Sequence, residues 1–226
     1  MTVTSGQRAL VLSPHPDDES FGCGGIIKRM TAAGGHVDVA FLTRGELGNE
    51  RGLATHCPQS DLAARRTAEA REACRILGVH EAIFLNGRDG HLQHQPELHQ
   101  EILSLLQSDF YRTVFGPGPN DNHPDHQATF QMLTAALSRC QREVDVWLYE
   151  VWSPLTPNMV VPIDQTIQAK EAAMRAHQSQ TELADYVSAF RGLAQYRSLW
   201  FPTCTYAEAF LTCQGAELTN LGRVER

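Results

Sequence analysis

The feature that most constrains the fold is an alternation of short apolar runs and helical patterns, repeated four times in the first 138 residues. The β-type runs cover residues 9–13, 37–42, 82–85 and 113–115. The helical patterns that follow them cover residues 25–33, 63–77, 97–107 and 126–138. This alternation predicts an α/β fold. Because strand–helix–strand units have right-handed crossovers, we expect a Rossmann-like, doubly wound, mainly parallel sheet with helices on both faces.

The remainder of the chain has a looser pattern. A strand is predicted over 144–151, helices over 165–177 and 182–194, and an apolar segment over 207–212. A chain of 226 residues with 42% hydrophobic content can bury roughly 70% of its unfolded surface. No linker or repeat divides it, so we predict one domain over residues 1–226. The longest segment without periodicity is 45–60, and loops of that length are usually functional or mobile.

Composition excludes several classes of protein. There are 19 basic and 26 acidic residues, and the net charge is -7. No basic run exceeds the Arg65-Arg66 pair, so nucleic acid is not an expected partner. No stretch approaches 18 apolar residues, so no transmembrane segment is predicted. The short polar amino terminus leaves no room for a secretory signal, and the six cysteines form no C-x-x-C pair. We therefore expect a cytoplasmic protein with reduced thiols.

Imidazole and carboxylate side chains are concentrated in two of the loops that follow predicted strands. These loops contain Ser13-Pro14-His15-Pro16-Asp17-Asp18-Glu19 and Asn122-His123-Pro124-Asp125-His126. The carboxyl ends of parallel strands lie at one edge of a sheet, so both loops should meet there. Two imidazoles and one carboxylate around an open position are typical of catalytic zinc. The same set is also the facial triad of Fe(II) oxygenases.

Together, the two motifs resemble those of the LmbE/PIG-L family of zinc-dependent N-acetylglucosaminyl deacetylases. The resemblance extends over about residues 8 to 180 through weaker matches. These are Gly24-Gly25, Thr43-Arg44-Gly45-Glu46-Leu47-Gly48, Arg66-x-x-Glu69, Leu77-Gly78-Val79, Asp89-Gly90 and Lys170…His177-x-Ser179-Gln180. Segment 43–48 is close to the branch that includes the bacillithiol-pathway deacetylases.

The resemblance implies a metal site and a set of catalytic residues. His15, Asp18 and His126 would bind zinc, with Fe²⁺ as an alternative ion in vivo.

Asp17 would act as the general base, and His123 as the acid or the oxyanion stabiliser. Asp125 would orient His123 and keep it charged, and Arg66 would lie on the substrate side. Some family members carry a tyrosine shortly before the second motif, but residues 119–122 here contain none.

These assignments predict a metal-dependent hydrolase that removes the N-acetyl group from an amino-sugar conjugate, giving acetate and a free amine. The rest of the conjugate, the pathway and the oligomeric state, a homo-oligomer included, are left open. One alternative is a non-haem Fe(II) oxygenase, and another is a non-catalytic metal- or sugar-binding protein. Asp17 and His123 argue against the second alternative, because a pure binding site needs neither a base nor an acid.

Three other features have plainer interpretations. The glycines of segment 22–25 indicate close helix packing, because Ile27 breaks the dinucleotide-binding pattern. His177 is interpreted as a helix-surface residue. Arg66 and Glu69 could equally form a surface pair three residues apart on one helix.

Overall fold

The computed structural model describes residues 6–48, 58–108, 110–201 and 203–221. The strands are β1 Arg8–Ser13, β2 His36–Thr43, β3 Glu81–Gly87, β4 Thr113–Pro117, β5 Asp145–Tyr149, β6 Met159–Pro162 and β7 Ala207–Gln214. They form one sheet in the order β3-β2-β1-β4-β5-β7-β6. Strands β1 to β5 run parallel, and β7 is antiparallel to both of its neighbours. This confirms the predicted mainly parallel sheet.

Helices cover both faces of the sheet, as the alternation predicts. They are α1 Asp18–Ala32, α2 Gln59–Leu77, α3 Pro96–Gln107, α4 Pro124–Arg139, α5 Ile167–Ala176, α6 Gln178–Thr181, α7 Tyr186–Ser198 and α8 Gly215–Leu221. A single 3₁₀ turn, Leu92–His94, precedes α3. Apolar residues of α1, α2, α5 and α7 share one core cluster, and those of α3, α4 and α8 share the other.

Strand β1 shows how the two cores are divided. Ala9 and Val11 belong to the cluster beneath α1 and α2, whereas Leu10 and Leu12 belong to the one beneath α3 and α4. Successive side chains of a strand point to opposite faces, so a strand covered on both faces reads as an unbroken apolar run. The loop that follows β1 is therefore held at the end of a fully buried strand.

Helix α1 begins at Asp18, seven residues before the predicted start at residue 25. Cys23 has φ −142° and ψ 21°, so two helical segments meet there, and the sequence pattern identified only the second. Helix α7 begins four residues later than predicted, because the Asp185 carboxylate caps it by accepting the Ser188 backbone N–H at 3.1 Å. The four-residue strand β6 was not predicted.

A buried ion pair holds the second segment of α1. The Glu208 carboxylate accepts the backbone N–H groups of Gly25 and Ile26, each at 2.8 Å. Lys170 Nζ donates to Glu208 Oε1 at 2.6 Å and to the Phe21 carbonyl at 2.8 Å. A Cβ added to Gly25 would lie 2.9 Å from Glu208 Oε1. The interpretation of these glycines as close packing is thereby confirmed.

Other expectations concern cysteines, membrane spans and the long loop. The cysteines that the structure describes are unpaired; they are Cys23, Cys74, Cys140, Cys204 and Cys213. Cys57 and most of the predicted 45–60 loop, residues 49–57, lie outside the described residues. No helix in the described part of the chain is long and apolar enough to cross a membrane.

Candidate active site

Side chains from separate loops meet at the carboxyl-terminal edge of the parallel strands. His15 and Asp18 follow β1, Asp89 follows β3, and Asp121 and His126 follow β4. All five are buried. The predicted convergence of the two histidine motifs is therefore confirmed, and the loop after β3 joins them.

The Asp18 carboxylate lies between two imidazoles. Asp18 Oδ2 is 3.2 Å from His15 Nδ1 and 3.2 Å from His126 Nε2. One ring nitrogen comes from each of His15, His123 and His126, and these three nitrogens lie within 4.8 Å of one another. Both ring nitrogens of His126 are buried and have no hydrogen-bond partner in the described structure, although Nδ1 is 3.3 Å from Asp121 Oδ2.

This arrangement fits a transition-metal ion. Ligand atoms about 2.0–2.1 Å from a tetrahedral zinc ion lie about 3.3 Å from one another. The two Asp18 contacts have that spacing, and each buried nitrogen of His126 faces a carboxylate without making a hydrogen bond of good geometry in the described structure. Imidazole and carboxylate are the ligand types that zinc and Fe²⁺ accept.

The other nitrogen of His15 faces two carboxylates. His15 Nε2 is 3.1 Å from Asp125 Oδ2 and 3.2 Å from Asp89 Oδ1. Asp125 also accepts the backbone N–H groups of Gly90 at 2.6 Å and Leu92 at 3.1 Å. A carboxylate that accepts the second N–H of a ligating histidine fixes its tautomer and orients its ring. The Asp125 side chain therefore orients His15, and its predicted role in orienting His123 stays a prediction.

His123 is held by backbone instead. It is the residue before α4, and its Nδ1 accepts the Asp125 backbone N–H at 3.2 Å. With Nδ1 acting as an acceptor, the proton of the neutral ring lies on Nε2. Burial lowers the pKa of His123, and the neighbouring imidazoles of His15 and His126 lower it further. The Asp125 carboxylate acts against this lowering, and the expectation that it keeps His123 charged stays a prediction.

Asp17 has an unusual backbone conformation and a perturbed carboxyl group. Its φ of 141° is rare for a residue with a side chain, and only Asn86 shares a positive φ among the described non-glycine residues. Burial raises the pKa of Asp17 to about 7; the Asp18 carboxylate adds to this rise, and the Arg66 guanidinium opposes it. A carboxyl group with a pKa near neutrality is well matched to general-base work.

Arg66 is buried and contacts the loop that carries Asp17. Its Nη2 donates to the Pro16 carbonyl at 2.7 Å and to Asp17 Oδ2 at 3.1 Å, and Nη1 donates to the Gly45 carbonyl at 3.0 Å. The alternative of a surface pair is wrong, because Glu69 accepts from Ser179 and Arg65 instead. Arg66 thus positions Asp17, and its contact with a substrate stays a prediction.

His177 is fully buried, so its interpretation as a helix-surface residue is wrong. His177 Nε2 lies 2.9 Å from Glu19 Oε1, and Glu19 Oε2 accepts the Asp17 backbone N–H at 3.0 Å. The pair therefore supports the strained backbone at Asp17 through its N–H group, whereas Arg66 contacts its carboxylate. The signal for it in the sequence was the weak match around His177-x-Ser179-Gln180.

Sequence reasoning also missed two carboxylates. Asp89 Oδ2 accepts the Leu47 backbone N–H at 2.9 Å, so Asp89 joins the loops after β2 and β3. Asp121 accepts the His123 backbone N–H at 2.9 Å and that of Trp152 at 3.1 Å. Both lie in polar loops after strands, and Asp89 also belongs to the weak family match Asp89-Gly90, but neither signal assigned them a role.

Comparison with known proteins identifies the family. The model of the PIG-L family, described as GlcNAc-PI de-N-acetylase, matches residues 10–137. The diacetylchitobiose deacetylase of Thermococcus kodakarensis is 30% identical over 191 residues, which cover 77% of this chain and 70% of that protein.

Solved structures share the fold. The N,N'-diacetylchitobiose deacetylase from Pyrococcus horikoshii matches with a TM-score of 0.82 and 26% identity, over 93% of this chain and 85% of its own. GalB, the 4-carboxy-2-hydroxymuconate hydratase of Pseudomonas putida KT2440, matches with a TM-score of 0.79 and 20% identity. The match covers 91% of this chain and 95% of GalB. The likeness to GalB concerns the fold alone, and a fold does not determine a reaction. The family match, which spans more than half of the chain, and the 30%-identical relative show that the protein belongs to the PIG-L family.

Proposed function

We propose that this protein hydrolyses the N-acetyl group of an N-acetylglucosamine-containing conjugate, using a zinc ion held by His15, Asp18 and His126. The observation that carries the proposal is the contact of Asp18 Oδ2 with both imidazoles at the ligand spacing of zinc. Asp125 and Asp89 would orient His15 from its other nitrogen, and Asp121 would do the same for His126.

A zinc ion bound there would lower the pKa of its bound water to about 7 and polarise the acetyl carbonyl. Asp17 would then accept the proton of the attacking water. Arg66 holds Asp17 Oδ2, and the Glu19 carboxylate holds its backbone, so the base is fixed before substrate binds. Preorganisation of this kind reduces the reorganisation needed in the transition state.

His123 would stabilise the oxyanion as a neutral hydrogen-bond donor. Its Nδ1 accepts a backbone N–H, so Nε2–H is the group free to donate to the developing negative charge. Of the two roles predicted from the resemblance, this geometry favours the stabiliser over the acid. The proton that Asp17 takes from water would then pass to the leaving nitrogen, so that the amide and water give acetate and an amine.

The acidity of the site supports a neutral substrate. Five carboxylates surround or support the histidine cluster, namely Asp17, Asp18, Asp89, Asp121 and Asp125. A phosphoester would be repelled there, whereas a neutral acetamide would not. The family description and the name of the Thermococcus kodakarensis relative both refer to removal of an acetyl group from an acetamido sugar joined to different groups. The shared acetamido sugar is therefore the part of the substrate proposed for this chain.

The test is release of acetate by zinc-loaded enzyme. N,N'-diacetylchitobiose and N-acetylglucosaminides of malate and inositol are incubated with the wild type, and acetate and free amine are both measured. Asp17→Asn should keep zinc and lose turnover, whereas His126→Ala should lose zinc. His94→Gln is the matched control, because His94 is exposed, and it should behave as the wild type.

Three results would contradict the proposal. Oxygen consumption with Fe(II) and a 2-oxoacid, without acetate from any sugar, would favour the oxygenase. Addition of water to an unsaturated carboxylate would favour a reaction of the GalB type. Tight binding of these sugars without any turnover would favour a binding protein.

A further inference from the structure

A second group of metal-ligand side chains lies at the opposite end of the sheet from the candidate active site. His36 and Asp38 are two residues apart near the start of β2, so they face the same side of the strand. His80 comes immediately before β3, and its backbone N–H donates to the Val37 carbonyl at 2.8 Å. Parallel pairing of β2 with β3 thus brings His80 beside the other two side chains.

The three side chains are in contact. His36 Nε2 is 3.0 Å from Asp38 Oδ2, and His80 Nδ1 is 3.4 Å from Asp38 Oδ1. The candidate ligand atoms of all three lie within 4.8 Å of one another. The two imidazole rings lie 3.9 Å apart between centroids. These separations bracket the value of about 3.3 Å between ligands of a tetrahedral zinc ion.

The Asp38 carboxylate provides an independent observation. Asp38 is only 3% exposed, yet its Oδ1 has no hydrogen-bond partner among the described residues. Leaving a buried charged oxygen unsatisfied is costly unless something compensates it. Its other oxygen accepts the Tyr111 hydroxyl at 2.7 Å, which fixes the plane of the carboxylate. Oδ1 lies on the side of His80, whose side chain is 65% exposed and open to solvent.

We propose that His36, Asp38 and His80 form a second site for a divalent transition-metal ion such as zinc. Two imidazole nitrogens and one carboxylate would supply three ligands, and solvent would supply the fourth. Tyr111 would act as the hydrogen-bonded support that orients the ligating carboxylate.

The ion would join the edge strand β3 to β2. Because the ligands come together only in the folded chain, binding would stabilise the fold, and the gain would grow with the logarithm of the free-ion concentration above the Kd.

The test counts ions rather than turnover, so it is independent of the proposed catalytic function. Tag-free wild type, His36→Gln, His80→Gln and the His94→Gln control are stripped of metal. Each is then titrated with Zn²⁺ in competition with a chromophoric chelator. We expect each cluster variant to bind one equivalent less than the wild type, and the control to match the wild type. Zn²⁺ should also raise the thermal midpoint of the control more than that of His80→Gln.

Equal zinc stoichiometry in the wild type and in both cluster variants would overturn the proposal. His80→Gln changes an exposed side chain and should fold normally, which circular dichroism verifies. If the candidate active site bound no metal at all, the wild type would bind one ion and His80→Gln none. The difference of one equivalent therefore tests this cluster alone.

Discussion

Replacing Asp125 with Asn tests which histidine this carboxylate serves. Its two oxygens receive three donors: the backbone N–H groups of Gly90 and Leu92, and His15 Nε2. A carboxamide has a single acceptor oxygen, so its NH₂ group must face at least one of these donors. A buried donor left without an acceptor costs about 1–3 kcal/mol. Loss of the support of a metal ligand typically costs 10–100-fold in affinity, or about 1.4–2.8 kcal/mol. The two magnitudes agree.

We therefore expect Asp125→Asn to bind zinc roughly 10–100-fold more weakly than the wild type. The affinity is measured by competition with a chelator of known affinity, and the free energy of unfolding by urea denaturation. Asp61→Asn is the control, since that carboxylate is exposed on α2 and both quantities should be unchanged. Unchanged zinc affinity and stability in Asp125→Asn, with a reduced kcat, would refute this reasoning. It would show that the side chain serves His123 during turnover.

Further substitutions test the supports of the site and of the fold. Asp17→Asn should retain zinc, but its kcat should fall roughly 10²–10⁴-fold because the general base is missing. Full activity of this variant would show that Asp17 is not the base. His177→Ala should lower the free energy of unfolding by about 1–3 kcal/mol in urea denaturation, because Glu19 loses a buried partner. A change below about 0.5 kcal/mol is typical of an exposed residue and would contradict the buried contact with Glu19. Lys170→Met should lower the free energy of unfolding by about 3–5 kcal/mol, because the buried Glu208 loses its cation. An unchanged free energy of unfolding would contradict this.

The fold and the general location of the site were predictable because they depend on local patterns. Residues 9–12 form an unbroken apolar run, which indicates a strand buried on both faces, and β1 is such a strand. The polar loops after β1 and β4 had to meet at one edge, because parallel strands present their carboxyl ends together. The proximity of His15 and His126 followed from that rule, without any knowledge of side-chain orientation.

Short elements were harder to predict, for a physical reason. Strand β6 has four residues and pairs only with β7, which lies far along the chain, so its stability comes from a partner rather than from its own pattern. The early start of α1 at Asp18 has the same origin. Cys23 interrupts the helical backbone, and the first segment is held by Lys170, distant in sequence, which donates to the Phe21 carbonyl at 2.8 Å.

The sequence by itself therefore determined the sheet, its functional edge and the identity of the clustered imidazoles and carboxylates. Only the tertiary structure decided how these groups pair. Asp125 lies one residue from His126 and two from His123, yet its carboxylate contacts His15, 110 residues away. Burial of His177 against Glu19, and contact of His80 with Asp38, likewise depend on packing between separate elements. Sequence spacing constrains which face a residue occupies, but hydrogen-bond partners are selected by the three-dimensional positions of donors and acceptors.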